Sequence, residues 1–301
     1  MYKGISMKTP ILDKEMKNHS SMKTGGKAKC AYFPESKEEL CEIIKTLKAD
    51  NKKYIVLGNM SNVLLPDEDI EVPLIVTTDM KSVEMKDGTT VHASAGVSFT
   101  KLSMDMCKNG LSGLEFAYGI PGSVGGAVYM NAGAYGGEAK DVITKVFALD
   151  NDGNVVEFSN KDCEFGYRNS VFQKNGFVIL GAEFSLAAAD AEECVKNAKE
   201  IMGRRVEKQP LEYPSCGSTF KRPEGYFAGA LIEEAGLKGF SMGGAQVSEK
   251  HAGFVINRDN ATTADVLSLM RYIRETIKQK NGVTMQAEIK LLNKDGEFFS
   301  L

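Results

Sequence analysis

The chain has 301 residues, of which 43% are hydrophobic and 26% charged, and this is typical of a globular protein with one large or two smaller domains. The net charge of −3 argues against nucleic acid and against a charged membrane surface as partners. No segment approaches the roughly 18 apolar residues of a membrane span, and the amino terminus lacks the apolar core of a signal peptide. The sequence therefore predicts a cytoplasmic protein without membrane insertion.

The first part of the chain alternates between helices and short strands. Ser36 and Glu39 form a capping box ahead of an apolar helical face, so a helix begins at Ser36. The apolar run 54–57 predicts a strand that leads into a polar turn from Gly58 to Asn62. The pattern also predicts a strand at 74–78, a hairpin at 83–93 and a helix at 98–110.

The second part continues this mixture, which favours an α+β fold over a doubly wound sheet. We expect a hairpin at 142–158, strands at 177–186, 253–257 and 285–292, and helices at 189–203, 227–235 and 262–282. A polar, proline-punctuated and extended segment begins at Arg204. The sequence therefore predicts a domain at 1–203 and another at 204–301.

The cysteines and histidines form no metal-binding pattern. The six cysteines include no CxxC pair, and the three histidines lie far apart in sequence. This spacing predicts reduced thiols, no disulfide framework and no metal site, and it leaves clustering of these side chains in space open.

The segment from Gly119 to Gly137 contains seven glycines in nineteen positions. Such a segment does not form a helix throughout, and its bare backbone can approach a phosphate group closely. It is not the GxGxxG motif of a Rossmann fold, and a loop in which glycines only permit packing is an equally good interpretation. The second glycine-containing turn, at Gly58–Asn62, shifts the balance towards a dinucleotide held by two loops.

Three polar residues elsewhere in the chain do not reveal a function locally. Arg168 lies in a polar turn, where an arginine is usually solvated or tied to the backbone, although a buried one would bind a carboxylate or phosphate. Ser218 lies in a hydroxyl-rich turn without a GxSxG motif, and Cys216 beside it has no histidine partner. Glu288 lies on the polar side of an alternating strand, where carboxylates are usually solvated.

The order and spacing of these segments resemble the UDP-N-acetylenolpyruvoylglucosamine reductases, flavoenzymes of peptidoglycan synthesis. The resemblance covers almost the whole chain. Arg168 and Ser218 lie 50 residues apart, a spacing that resembles the shorter, type II subgroup. The segments that carry it are Thr24-Gly25-Gly26, Gly58–Leu64, Gly119–Gly137, Tyr167–Phe172, Lys208-Gln209-Pro210, Ser218 and Glu288.

The resemblance implies an α+β, two-subdomain FAD-binding fold of the vanillyl-alcohol-oxidase (PCMH) type over 1–203, with a subdomain boundary near residue 80. It implies a C-terminal α+β substrate-binding domain over 204–301. The cofactor would be FAD, NADPH the hydride donor, UDP-N-acetylglucosamine enolpyruvate the substrate, and a monomer the expected state. The residues implied for FAD binding are Gly58, Asn59, Ser61, Asn62, Gly119, Gly122, Ser123, Gly125, Gly126 and Ala127.

The resemblance further implies that Arg168 binds the substrate carboxylate and that Ser218 donates a proton. A protonated Glu288 would donate a hydrogen bond to the developing enolate. The weaker candidates for substrate contacts are Arg205, Lys221, Gln246 and Lys290. A flavin oxidase of other small alcohols or sugars and a non-catalytic nucleotide-sugar binder are the alternatives.

Two residues depart from the family pattern. Met60 stands where the family turn usually has a second glycine, and a positive φ there would cost about 1 kcal/mol or more. Lys290 stands where the family commonly has arginine, which keeps the charge but loses the bidentate geometry.

Overall fold

The computed structural model describes residues 9–301, which form two compact units built from separate stretches of the chain. The described part of the first unit comprises residues 9–11, 31–59 and 74–204, and the second comprises 12–30, 60–73 and 205–301. Within residues 9–301, no helix is both long enough and apolar enough to cross a membrane.

The helices and strands have the following bounds. The helices are α1 Lys37–Ala49, α2 Phe99–Lys108, α3 Val124–Met130, α4 Ala191–Lys208, α5 Ala228–Glu234 and α6 Thr263–Asn281. The strands are β1 Ile11–Glu15, β2 Lys27–Tyr32, β3 Ile55–Leu57, β4 Val63–Leu64, β5 Leu74–Val76, β6 Val83–Asp87, β7 Thr90–Ser94, β8 Leu111–Ser112, β9 Gly133–Ala134, β10 Gly137–Glu138, β11 Ile143–Leu149, β12 Val155–Ser159, β13 Val178–Ser185, β14 Ala187–Ala188, β15 Ser241–Met242, β16 Ala245–Val247, β17 Val255–Asn257, β18 Lys290–Leu292 and β19 Phe298–Phe299.

The first unit is built on an antiparallel five-stranded sheet in the order β12-β11-β13-β7-β6. Ala182 of β13 pairs with Val146 of β11 on one side and with Ala93 of β7 on the other, and all three side chains are fully buried. Apolar residues of α2 and α3 join this sheet in one core. In the same unit, β5 runs parallel to β3, and Leu74 also pairs with Ala31 at the end of β2.

The second unit has a core around α6 and two small sheets. Strands β15, β16 and β17 form an antiparallel sheet, while β18 pairs with β19 and runs parallel to β4. The buried face of α6 packs in one cluster with Met22 and Leu64, which come from much earlier in the chain. The cores of both units are therefore assembled from contacts that are distant in sequence.

Capping residues start the helices where the sequence predicts them. The hydroxyl of Ser36 accepts a hydrogen bond from the N–H of Glu39 at the start of α1. The carboxylate of Glu39 accepts from the N–H of Glu35 instead of Ser36, so the predicted capping box is only half formed. Thr262 and Asp265 each accept a hydrogen bond from the other's backbone N–H, forming a capping box ahead of α6. The hydroxyl or carboxylate replaces hydrogen bonds that the first turn of a helix cannot make.

Two predicted boundaries are wrong. Helix α4 continues to Lys208, so the extended segment does not begin at Arg204; Pro210 follows this end and cannot continue a helix. The predicted strand 285–292 is regular only as β18, because the chain makes a single bridge at Ala287 and bends at Glu288.

Gly96 provides a test of close packing in the first unit. A Cβ atom at Gly96 would collide with the backbone oxygens of Thr77 and Met80, which cannot move as a flexible side chain can. We expect Gly96→Ala to lower the free energy of unfolding by about 1–3 kcal/mol, the usual cost of overpacking. Gly88→Ala is the matched control, since no atom lies within 4 Å of its added Cβ. Denaturant titration of the two variants should separate them, and equal stabilities would contradict this account.

Candidate active site

The two predicted cofactor loops meet within the first unit. The side-chain amide of Asn59 donates a hydrogen bond to the carbonyl of Pro121 at 2.6 Å. A Cβ atom at Gly58 would collide with the hydroxyl of Ser123, so the first loop passes this close only because Gly58 has no side chain. The two glycine-containing segments that the sequence predicts to act together are therefore in direct contact.

The partly exposed residues of these loops are suited to binding the diphosphate of a dinucleotide. Gly58, Gly119 and Gly122 are half-buried and Asn59 is exposed, so their backbones are reachable without a large side chain in the way. Backbone N–H groups in such glycine-containing turns are suited to holding phosphate oxygens. Contact of these residues with FAD stays a prediction.

The middle of the glycine-rich segment is helix α3, Val124–Met130, so the predicted loop is wrong there. Ser123 caps this helix by accepting a hydrogen bond from the N–H of Gly126 at 3.3 Å. The N–H of Gly125 donates to the carbonyl of Ala95, and that of Ala127 to the carbonyl of Ser123, both at 2.8 Å. A Cβ at Gly125 would lie 3.0 Å from that of Ala95, so Gly125 also serves close packing.

Met60 adopts the backbone conformation that the family glycine would favour. Its φ is +48° and its side chain is 3% exposed. Met60, Ser61 and Asn62 belong to the second unit, whereas Gly58 and Asn59 belong to the first. At Met60, a left-handed backbone, which is strained, thus occurs together with a buried, large apolar side chain.

Arg168 lies in a tight turn of the first unit, also with a positive φ of +53°. Its guanidinium donates a hydrogen bond to the carbonyl of Gly133 at 3.0 Å, and lies 5.1 Å from the ring centre of Tyr167. The side-chain amide of Gln173 donates to the carbonyl of Arg168 at 3.0 Å. The arginine is thus tied to the glycine-rich segment while remaining half-buried. Left-handed residues other than glycine often occur at functional sites, where surrounding contacts offset the strain.

The residues around Arg168 form a polar network. Asn131 is fully buried, and its amide donates to the carbonyl of Gly166 and to Glu138, both at 3.0 Å. The hydrogen bond from Lys140 is the main cause that lowers the pKa of Glu138, and Asn131 and the charge of Arg168 lower it further. This network fixes the turn that carries Arg168.

Ser218 is exposed in a segment of the second unit that is fixed on both sides. Ser215 bridges to Ile256 and Phe220 to Ala287, and Gly217 between them has a φ of +75°. The thiol of Cys216 is buried and donates to the carbonyl of Val63 at 3.4 Å. Burial raises the pKa of this thiol to about 12, so it stays protonated at neutral pH and is a poor nucleophile.

Glu288 lies beside the Ser218 segment in the same unit. Its backbone N–H donates to the carbonyl of Thr219 at 2.9 Å, and its carbonyl accepts from the side-chain amide of Asn62 at 3.2 Å. The carbonyl of Asn62 in turn accepts from the N–H of Lys290 at 2.9 Å. The structure therefore brings together Ser218, Glu288 and one predicted FAD-binding residue.

Lys221 and Lys290 bring positive charge to this part of the second unit. Burial lowers the pKa of Lys290, and the positive charge of Lys221 lowers it further. Lys221 donates its backbone N–H to the carbonyl of Gln286 at 2.9 Å, two residues before Glu288. Two cations that disfavour each other are suited to an anion that neutralises both, such as a diphosphate.

Arg205 and Gln246, the other two predicted substrate residues, are a buried helix residue and a side chain hydrogen-bonded to its own small sheet. Arg205 is 5% exposed and lies in α4. The side-chain amide of Gln246 donates to the carbonyl of Gly239 and to the hydroxyl of Ser241, both at 3.1 Å. Their roles in substrate binding stay predictions.

The sequence does not predict a cluster of two buried cysteines, Cys107 and Cys194, with the half-buried Glu115 in the first unit. The thiol of Cys194 donates to a carboxylate oxygen of Glu115 at 3.2 Å, and the sulfur of Cys107 lies within 4.8 Å of both ligand atoms. The absence of CxxC spacing gave no signal for this contact, because the residues come from distant segments. The prediction that the protein binds no metal is not tested by this cluster.

Two family descriptions match the chain. An FAD binding domain matches residues 28–159, and the C-terminal domain of UDP-N-acetylenolpyruvoylglucosamine reductase matches residues 209–292. These matches confirm the predicted α+β architecture of an FAD-binding domain followed by the C-terminal domain of this reductase family.

Proteins named UDP-N-acetylenolpyruvoylglucosamine reductase are similar along nearly their whole length. The protein of Caldanaerobacter subterraneus subsp. tengcongensis is 46% identical, with 93% of each chain covered. That of Clostridioides difficile is 44% identical, over 94% of this chain and 93% of its own. The crystal structure of the reductase from Thermus caldophilus is similar with a TM-score of 0.80 and 32% identity, over 94% of this chain and 97% of that one.

The strain and the burial of Met60 have opposite effects on stability. We expect Met60→Gly to lower the free energy of unfolding by about 1–2 kcal/mol, since the loss of a buried methionine side chain costs about 2–3 kcal/mol and relief of the left-handed strain returns only about 1 kcal/mol. Met60→Leu keeps the volume and the strain, and should change stability by less than about 1.5 kcal/mol. Denaturant titration measures both; a Met60→Gly protein as stable as the wild type would show that strain outweighs burial.

Proposed function

The chain belongs to the UDP-N-acetylenolpyruvoylglucosamine reductase family, and from this we propose that Arg168, Ser218 and Glu288 are its catalytic residues. The protein is an FAD-dependent oxidoreductase of peptidoglycan synthesis. It uses NADPH to reduce the enolpyruvyl group of UDP-N-acetylglucosamine enolpyruvate, which gives UDP-N-acetylmuramate.

The division of labour along the chain is part of this proposal. Residues 1–203 bind FAD as two subdomains with a boundary near residue 80, and residues 204–301 bind the nucleotide sugar. The positions of the two family matches, at 28–159 and 209–292, support this assignment. The protein acts on small molecules, and the proposal places it in the cytoplasm as a monomer without a nucleic-acid partner.

The loop at Gly58–Asn62 and the segment Gly119–Ala127, which runs into α3, would hold FAD, which supplies hydride transfer between NADPH and the enolpyruvyl carbon. Hydride addition at the terminal carbon leaves negative charge on the neighbouring carbon and its carboxylate. The protein accelerates the reaction if it stabilises this charge and then supplies a proton.

Arg168 stabilises the carboxylate in this proposal. A guanidinium is charged at all relevant pH values and can donate two parallel hydrogen bonds to a carboxylate. The guanidinium carries five N–H donors in a planar fork, and one of them donates to the carbonyl of Gly133. This bond to the backbone orients the Arg168 side chain.

Ser218 supplies the proton, and Glu288 supports the enolate. A serine hydroxyl is a weak acid, but a strongly basic enolate within hydrogen-bond reach can take its proton. A charged Glu288 would repel the enolate, so Glu288 acts in its protonated form and donates a hydrogen bond. The single observation that carries this assignment is the 2.9 Å bond from the N–H of Glu288 to the carbonyl of Thr219, next to Ser218.

Ser218→Ala separates the two half-reactions. The purified wild-type protein should be yellow, lose this colour anaerobically with NADPH, and regain it when UDP-N-acetylglucosamine enolpyruvate is added. In Ser218→Ala, reduction by NADPH should be nearly unchanged, while recolouring by the enolpyruvate slows by about 10²–10⁴-fold because the proton donor is missing. Stopped-flow absorbance of the flavin measures both rates.

The same assay distinguishes the alternatives. An equal loss in both half-reactions of Ser218→Ala would remove Ser218 from the role of proton donor. Recolouring of the wild type only on admission of air would indicate an oxidase, and a purified protein without flavin would indicate a nucleotide-sugar binder.

Glu288→Gln tests the form in which Glu288 acts. Glutamine keeps a hydrogen-bond donor at this position, whereas alanine removes it. We therefore expect Glu288→Gln to retain clearly more of the recolouring rate than Glu288→Ala, with similar reduction by NADPH in both. Equal losses in the two variants would show that hydrogen-bond donation is not the role of Glu288.

A further inference from the structure

We propose that Thr219 is a positioning residue that holds Ser218 and Glu288 in their working geometry through its buried hydroxyl. This inference rests on the proposed function of those two residues. Thr219 is 0% exposed, whereas Ser218 directly before it is exposed. The chain therefore anchors one residue in the interior of the second unit and presents the next one at its surface.

Thr219 joins three segments of the second unit. Its N–H donates to the carbonyl of Gly253 at 2.9 Å, and its hydroxyl accepts from the N–H of Val255, also at 2.9 Å. Its carbonyl accepts from the N–H of Glu288 at 2.9 Å. One residue thereby fixes the position of the Ser218 segment relative to β17 and to the segment that carries Glu288.

Of the three hydrogen-bonding groups of Thr219, only the hydroxyl belongs to the side chain, so only this bond can be removed by a substitution. Val255 is 1% exposed, so its N–H lies where water does not readily replace a lost partner. A buried N–H without an acceptor is costly, and the backbone around it shifts to find one. Such a shift would move Thr219, and with it both Ser218 and the carbonyl that Glu288 uses.

Glu288 is held from its other side as well. Its carbonyl accepts from the side-chain amide of Asn62 at 3.2 Å, so both backbone polar groups of Glu288 have a fixed partner. Loss of the hydroxyl of Thr219 would disturb one of these two anchors and leave the other in place. We therefore expect a displaced Glu288 rather than an unfolded segment.

The substitutions vary the acceptor at position 219. Thr219→Val keeps the shape and removes the acceptor. Thr219→Ser keeps the hydroxyl and Thr219→Cys offers only a weak acceptor, and these two form a matched pair because both lack the buried methyl group of threonine. Thr263→Val is the matched control, because Thr263 is also buried in the second unit and its hydroxyl donates to the carbonyl of Leu65 at 2.6 Å. A general effect of losing a buried hydroxyl would appear in both valine variants.

The test uses the full-length, FAD-loaded protein in the two half-reactions. In Thr219→Val, flavin reduction by NADPH should stay within about twofold of the wild type, while reoxidation by UDP-N-acetylglucosamine enolpyruvate slows by about 10–100-fold, as expected for a small displacement of reacting groups. The reoxidation rates should follow the order of acceptor strength, with serine close to threonine and cysteine between serine and valine. Thr263→Val should behave as the wild type.

Each other outcome has a definite meaning. Wild-type rates in Thr219→Val, equal slowing of both half-reactions, or a Thr219→Ser variant as slow as Thr219→Val would overturn the inference. If Thr219→Val does not fold, the order of Thr219→Ser and Thr219→Cys decides, and equal reoxidation rates for these two would overturn it. Failure of the enolpyruvate to reoxidise the wild type would overturn the proposed function itself, and this result does not depend on any variant.

Discussion

The backbone pairing of residues 219–221 with 286–288 is the contact that holds the proposed catalytic residues of the second unit in place. It is only a short bridge around Phe220 and Ala287, yet Lys221 lies in one of the two paired segments, Ser218 directly precedes that segment, and Glu288 lies in the other. After the bridge, the chain from Glu288 to Lys290 makes its hydrogen bonds with Asn62 instead. A short pairing that changes partners in this way sets several polar side chains close together without a long regular strand.

Local sequence signals predict the elements that depend on local contacts. The starts of α1 and α6 follow from Ser36 and Thr262, since each capping hydroxyl bonds an N–H three residues later. The end of α4 is missed because Gly203 is tolerated inside a helix, and a Cβ there would meet no atom within 4 Å. The break in the strand before Lys290 is also missed, because the chain there changes its hydrogen-bond partner to Asn62, 226 residues before Glu288, and no local pattern shows this.

In the candidate site, too, features set by neighbouring residues are predictable from the sequence, and features set by distant contacts are not. Locally, Arg168, Ser218 and Glu288 look like ordinary polar residues, and only their order along the chain suggested a function. The positive φ expected at Met60 is visible in the sequence because a family glycine is replaced there. The positive φ of Arg168 has no such signal, and its contacts with Gly133 and Gln173 become visible only in the structure. Thr219 was not predicted, because a buried threonine in a turn has no local pattern that distinguishes it.

The second unit draws on residues 12–30, 60–73 and 205–301, and this order has a consequence for synthesis. Strand β4 leaves the ribosome long before β18, its partner in the parallel pairing of Leu64 with Leu291. The apolar side chains of Leu64 and Met22 therefore stay uncovered until nearly the whole chain has been synthesised. Chains of this kind are exposed to aggregation while they are being made, and a truncated messenger would yield a polypeptide whose second core has no way to close.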